Sequence, residues 1–159
     1  MSRFAVTVTV NGAVREVEAD PDTPLIYVLR NRLGLMGAKL GCGLEQCGAC
    51  AVIADGEKVL SCVRAVSEFE GCEIVTVEGL AGDGELNPVQ RAFLDENAAQ
   101  CGYCTGGLIV ALTAFLENAP KPDRQGALAA LDGHLCRCGA HPDVLRAIDR
   151  LIAERADGA

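Results

Sequence analysis

Gly41-Cys42-Gly43-Leu44-Glu45-Gln46-Cys47-Gly48-Ala49-Cys50 is the stretch from which the rest of the chain can be read. Its cysteines stand in a C-x4-C-x2-C order, and eleven residues separate the last of them from Cys62. That is the plant-type spacing for a 2Fe-2S cluster. Four thiolates around two irons need close backbone approach, because sulfur is a weak acceptor and is stabilised by N–H groups turned inward. Gly41, Gly43 and Gly48, with Ala49 and Ala51, leave the loop free to wrap such a group without side-chain clashes. A structural zinc site is the plainer alternative, but zinc ribbons use two short C-x2–4-C pairs and have no need of a Gly-rich wrap.

A second set lies downstream: Cys101-Gly102-Tyr103-Cys104 and Cys136-Arg137-Cys138. The spacing of Cys101 and Cys104 puts both on one side of a helix N-terminus, where the positive end of the dipole favours thiolates. Cys136 and Cys138 cannot share a helix face, so they are expected in a loop just ahead of the last helix. Spacing alone leaves iron–sulfur and zinc both open here. Cys72 falls outside both sets and reads as a small, inert, buried apolar residue, with replacement of Cys62 as fourth ligand the weaker option. His134 and His141 flank the second cysteine pair and read as surface or capping residues. Tyr103 and Arg137 read as packing and polar neighbours of the site, and Lys39 and Glu45 as solvated loop charges.

The cysteines total nine in a chain of 159 residues. Met1-Ser2-Arg3-Phe4-Ala5-Val6 runs directly into strand-like alternation without an apolar signal core, so a reducing, cytoplasmic setting is expected and disulfides are not. The longest apolar run, Leu108 to Leu116, is too short for a transmembrane segment. Half the residues are apolar and 23% are charged, the composition of a packed globular protein. A net charge of −8 with only 4% aromatics disfavours nucleic acid, which needs basic surface and stacking platforms. Two histidines, no phosphate-cradling loop and no Ser-His-Asp or Cys-His set leave no acid–base or nucleophilic site, so no catalytic residue is expected in this chain.

Outward from the first loop, Phe4 to Val10 alternates, with Phe4, Val6, Val8 and Val10 on one face, and Asn11-Gly12 turns it into a returning strand from Val14 to Ala19. Thr23 reads as an N-cap with Pro24 at the first helical position, and Leu25, Val28, Leu29 and Leu33 recur at helical spacing until Gly34. Ala49 to Ala54 and Lys58 to Val63 flank the hairpin signal Asp55-Gly56, with Cys62 on the strand returning beside Cys50, and Glu73 to Val77 is a further strand. Ala81-Gly82-Asp83-Gly84 then breaks the pattern. After it come helices at Pro88 to Asn97, Tyr103 to Asn118, Asp123 to Leu131 and Pro142 to Ala156. The expected class is α+β: residues 1–79 as a small mixed sheet holding one helix, 80–86 as linker, and 87–159 as a four-helix half.

With both cysteine sets in view, the chain resembles the small iron–sulfur subunits of the molybdenum hydroxylases, the xanthine oxidase family. The resemblance runs from Val8-Thr9-Val10-Asn11-Gly12 through the 41–50 loop, Ser61-Cys62-Val63, Thr76-Val77-Glu78-Gly79-Leu80, Asn87-Pro88-Val89-Gln90, Gln100-Cys101-Gly102-Tyr103-Cys104 and Leu135-Cys136-Arg137-Cys138-Gly139 to Leu145-Arg146-Ala147-Ile148. It implies a β-grasp, ferredoxin-like 2Fe-2S domain ligated by Cys42, Cys47, Cys50 and Cys62. It also implies a four-helix 2Fe-2S domain ligated by Cys101, Cys104, Cys136 and Cys138. It further implies electron transfer from a molybdopterin cofactor, in its cytosine dinucleotide form, held by a large molybdenum-binding subunit. The route is through the C-terminal cluster and then the N-terminal one to a flavin subunit or a cytochrome c, with Gln100 and Cys138 nearest the pterin. Within the family the chain resembles the small subunits of nicotinate dehydrogenase and isoquinoline 1-oxidoreductase, which points to an N-heteroaromatic or aldehyde substrate for the whole oxidoreductase. Thr105-Gly106-Gly107 departs from relatives that carry a polar side chain after the second cysteine. The competing reading is a free-standing two-cluster electron carrier of ferredoxin type.

Overall fold

The computed structural model describes residues 4–82 and 84–157, so the opening Met1-Ser2-Arg3 and Asp83 of the Gly-rich break lie outside the described residues. The alternation at the start becomes β1 (Ala5–Val10), paired antiparallel with β2 (Ala13–Glu18). Asn11 and Gly12 turn between them at φ 51° and 73°, the left-handed pair a tight hairpin requires. Val6, Val8 and Val10 are buried as expected. Phe4 is not: it precedes the first paired residue and is 50% exposed.

Helix α1 (Leu25–Asn31) buries Leu25, Val28 and Leu29 against this sheet and Ile26 against Cys50 and Cys62. Its start differs from the Thr23 cap expected. The residue at the cap is Pro24 with no side-chain bond, and the first amides are satisfied from a distance: Leu25 N–H donates to Arg64 O at 2.9 Å and Ile26 N–H to Ser61 O at 3.0 Å.

Strands β3 (Ala51–Ala54) and β4 (Glu57–Leu60) form the second hairpin around Asp55-Gly56, and β5 (Glu73–Val75) slots between β1 and β3. The sheet order is β2-β1-β5-β3-β4, with β1 and β5 parallel and the other neighbours antiparallel. This mixed sheet packed on one helix is the β-grasp arrangement the resemblance implied. The strands are shorter than expected. Cys62 lies just beyond β4, not on it, because Ser61 turns the chain inward: its N–H and hydroxyl both donate to Cys50 O, at 3.3 and 2.8 Å. Val77 leaves the sheet for a 3-10 turn running to Leu80.

The second half has the four helices expected: α2 (Pro88–Asp95), α3 (Thr105–Asn118), α4 (Arg124–Ala130) and α5 (His141–Asp157). Asn87 and Gln90 close a reciprocal capping box on α2, and Asp123 caps α4. Helix α3 is apolar all round because it is covered on both sides. Val110 and Ala114 pack on Ala51 and Ile53 of β3, while Leu108, Ile109, Leu112 and Leu116 meet Val89, Phe93, Val144 and Ile148. Sheet and helices thus share a seam, and both cysteine sets sit at one end of it. Among the described residues no helix is long and apolar enough to cross a membrane.

Candidate metal centres

Around the first set the backbone turns its amides toward sulfur. Cys42 N–H points to Cys47 Sγ at 3.4 Å, Leu44 and Gln46 N–H to Cys42 Sγ at 3.3 and 3.2 Å, and Glu45 N–H to Cys62 Sγ at 3.4 Å. The left-handed residues Gly43 and Glu45, at φ 66° and 54°, aim successive amides at the same side. Glu45 adopts this region without being glycine, a strain of the kind that collects at functional loops. A Cβ at Gly41 would lie 2.7 Å from Cys47 Sγ, so only glycine lets the loop close this far. Ile26 of α1 packs over Cys50 and Cys62.

The amides of Gln46 and Leu44 draw the exposed Cys42 thiol down to about 7, with Cys47 as its thiol neighbour. Burial, and then the neighbouring Cys62, pushes Cys50 up to about 12. The sulfurs of Cys42, Cys47 and Cys62 thus all receive amides of this one loop, with Cys50 beside Cys62. A buried thiol of this kind becomes a thiolate only when a metal replaces its proton.

The second set repeats the pattern with different elements. Cys104 is the residue at the start of α3, and Cys101 sits in the turn before it, where Gly102 has φ 79°; the helix itself opens at Thr105, two residues later than expected. Cys136 and Cys138 lie in the loop ahead of α5, as the spacing required. Cys101 is drawn down by the Tyr103 N–H and has Cys138 beside it. Cys104 is pushed up to about 11 by burial and then by Cys136. Cys104 also has Cys101 near it, and Cys138 both Cys101 and Cys136, so the four thiols are mutual neighbours.

Among the described residues no three His, Cys, Asp or Glu side chains converge at the spacing of a single metal ion. The loop amides and the cradle at Gly41 fit a group that carries negative charge on sulfur.

Gln100 is exposed beside the second set, and its Oε1 accepts the N–H of Gly139, next to Cys138, at 3.1 Å. Arg137 is exposed, as is His141 at the first position of α5. His134 departs from expectation. Its two ring nitrogens are shut off from solvent, and burial and then Lys58 hold it neutral, with its pKa lowered to about 4. The ring fills space left by Gly48, a contact between distant segments that no local pattern signals. Lys39 is half-buried, its Nζ donating to Gly37 O at 3.2 Å, and is not the solvated charge expected. Cys72 is half-buried, with Asp55 as its chief neighbour, whose carboxylate raises the thiol. The glycines of Thr105-Gly106-Gly107 have a packing reason: Cβ atoms there would meet Gly37 O at 2.9 Å and Gly48 O at 2.2 Å.

Residues 8–74 match the family described as the 2Fe-2S iron-sulfur cluster binding domain, and residues 76–149 the family described as the 2Fe-2S binding domain. The chain is 47% identical over 150 residues to one of the subunits of nicotinate dehydrogenase from Pseudomonas putida, covering 94% of this chain and 96% of that one. It is 42% identical over 143 residues to the alpha chain of isoquinoline 1-oxidoreductase from Brevundimonas diminuta, covering 90% and 93%. Its fold superposes on a chain of quinoline 2-oxidoreductase from Pseudomonas putida 86 with a TM-score of 0.88 at 35% identity, covering 99% and 98%. Two 2Fe-2S domains in this order and likeness to such relatives over nearly the whole length place the chain in the family of small iron–sulfur, electron-transferring subunits of the molybdenum hydroxylases.

Proposed function

We propose that Cys42, Cys47, Cys50 and Cys62 hold one 2Fe-2S cluster and Cys101, Cys104, Cys136 and Cys138 the other, and that the chain is the electron wire of a heteromeric oxidoreductase. The observation that carries this reading is the set of loop amides turned onto the sulfurs of Cys42, Cys47 and Cys62, with Cys101, Cys104, Cys136 and Cys138 gathered as neighbours in the other half. When bound, the clusters supply one-electron steps from a molybdopterin cofactor, in its cytosine dinucleotide form, in a large partner subunit to a flavin subunit or cytochrome c acceptor. The chain's own residues do the rest. Backbone amides of the 42–46 loop offset the charge on sulfur, Ile26 keeps water from the Cys50–Cys62 side, and the shared seam of β3 and α3 holds the two halves in place.

In this reading Gln100 and Cys138 face the pterin. What supports it is that Gln100 Oε1 is taken by Gly139 N–H while its amide nitrogen has no partner among the described residues and is free to donate outward. The 43–48 loop, exposed at Leu44, Glu45 and Gln46, faces the acceptor. The division into residues 1–79, a linker at 80–86 and 87–159 belongs to the same proposal, as does a cytoplasmic location, where thiols stay reduced for assembly. An N-heteroaromatic substrate for the complex follows from the kind of compound named in the relatives: nicotinate, isoquinoline, quinoline.

The test is co-expression with the large subunit, followed by metal and sulfide analysis and low-temperature EPR. The expected result is four irons and four acid-labile sulfides per chain, two distinct reduced signals, and co-purification with molybdenum. Stoichiometric zinc, or a single EPR species, would sink the ligand assignment. Full iron without a stably bound large subunit would establish the free-standing carrier instead.

A further inference from the structure

The 41–50 loop is pinned to the helical half at both of its ends, and each pin comes from a different cysteine segment. Ahead of Cys42, the Leu40 carbonyl accepts the phenol hydrogen of Tyr103 at 2.6 Å, and Tyr103 stands between Cys101 and Cys104. Behind Cys42, the Cys47 carbonyl accepts the N–H of Leu135 at 3.0 Å, next to Cys136. There the His134 ring fills the space that Gly48 leaves by lacking a side chain: a Cβ at Gly48 would lie 2.2 Å from His134 Nδ1. Neither ring nitrogen has a hydrogen-bond partner among the described residues, and both are shut off from solvent. An imidazole in that state is unfavourable for stability, so its contribution lies in the shape it fills.

Between these pins the tip of the loop lies open, while behind it Gly48 and Ala49 back closely onto Gly107 of α3. Cys42, Leu44, Glu45 and Gln46 are exposed, and the loop's left-handed backbone is strained. The apolar seam of Ala51 and Ile53 on Val110 and Ala114 sets sheet against helix but begins only after Cys50.

We propose that Tyr103 and His134 are positioning residues that clasp the two cysteine loops together and so set the separation and orientation of the two redox centres. The inference rests on the reading that both centres hold 2Fe-2S clusters. When the centre of the helical half is oxidised and that of the sheet half reduced, one electron moves and no bond or proton does, so the gap between them governs the rate. Tyr103 and His134 act on that gap without ligating either centre.

The experiment uses the iron-loaded complex with its large subunit. Tyr103→Phe keeps the ring and removes the hydroxyl, His134→Ala empties the seam, and His134→Phe refills it without nitrogens. Four quantities are read: iron per chain, the magnetic interaction between the two reduced centres by EPR, the rate of electron transfer between them, and hydrogen exchange of amides 40–50, which lie in the half opposite both substitutions. Tyr103→Phe and His134→Ala are expected to keep full iron, to alter the EPR interaction, to speed exchange of the opposite loop severalfold, and to slow transfer between the centres. His134→Phe is expected to restore wild-type behaviour. Unchanged coupling and exchange in the first two variants would overturn the clasp. So would loss of two irons from His134→Ala, since the ring would then serve ligation itself. Zinc in the wild type would refute the cluster reading alone, and the exchange comparison would still decide the clasp.

Discussion

Gly107 is the third residue of α3, and helix propensity by itself says that Gly107→Ala should stabilise the protein by up to about 1 kcal/mol. The packing says the reverse. A Cβ at Gly107 would lie 2.2 Å from Gly48 O, 3.0 Å from Gly48 C and 3.2 Å from Ala49 Cα, all of them backbone atoms of the first cysteine loop. No rotamer change relieves that contact, so α3 and the loop must part by about 1 Å, which also loosens Val110 and Ala114 from Ala51 and Ile53. Overpacking of this kind costs about 1–3 kcal/mol, and the propensity gain is small so close to a helix start, which leaves a net loss of about 2 kcal/mol. Gly126→Ala is the control. Its Cβ would meet Phe115 Cζ at 2.7 Å, the far end of a half-buried side chain that can swing away, so α4 should be unchanged or gain up to about 1 kcal/mol. Urea unfolding of the two variants beside the wild type, followed by far-UV circular dichroism, gives the comparison through the midpoint at constant slope. If Gly107→Ala proves as stable as Gly126→Ala, the close approach of α3 to the loop is wrong.

Cys62→Ser should lose two irons per chain while Cys72→Ser keeps the full complement, because Cys62 faces Cys50 whereas Cys72 faces Asp55; iron analysis decides it, and iron lost from Cys72→Ser would overturn the ligand set. Asn87→Ala should cost about 2 kcal/mol in the same unfolding assay, since it removes the cap of α2 and the partner of the buried Thr113 hydroxyl, which Asn87 Nδ2 reaches at 3.1 Å; a change below about 0.5 kcal/mol would count against both roles. Asp55→Asn keeps an oxygen that can accept the Glu73 N–H but removes the carboxylate that raises the Cys72 thiol, first by its hydrogen bond and then by its charge. In the iron-loaded protein, alkylation of Cys72 should therefore begin at lower pH in that variant than in the wild type, and an unmoved pH profile would show that the carboxylate does not control the thiol.

What could be read from the residues alone was whatever a short stretch of chain settles by itself. The C-x4-C-x2-C loop with its glycines, the Asn11-Gly12 and Asp55-Gly56 turns, the Asn87-Pro88 helix start and the apolar stripe of α5 depend on neighbours within a few positions, and each recurs in the structure in place. The α+β division followed from the same signals, because periods of two and of 3.6 residues are local properties. The tertiary structure decided everything that joins distant segments. It inserts β5 between β1 and β3, starts α1 on carbonyls from residues 61 and 64 where a Thr23 side chain was expected, and leaves Phe4 uncovered. It also turns His134 from a surface residue into the filling of a seam, and gives Gly106 and Gly107 a reason to be glycine. A contact between residues 48 and 134, or 40 and 103, leaves no trace in periodicity or spacing, since its energy comes from surfaces that meet only after both halves have folded.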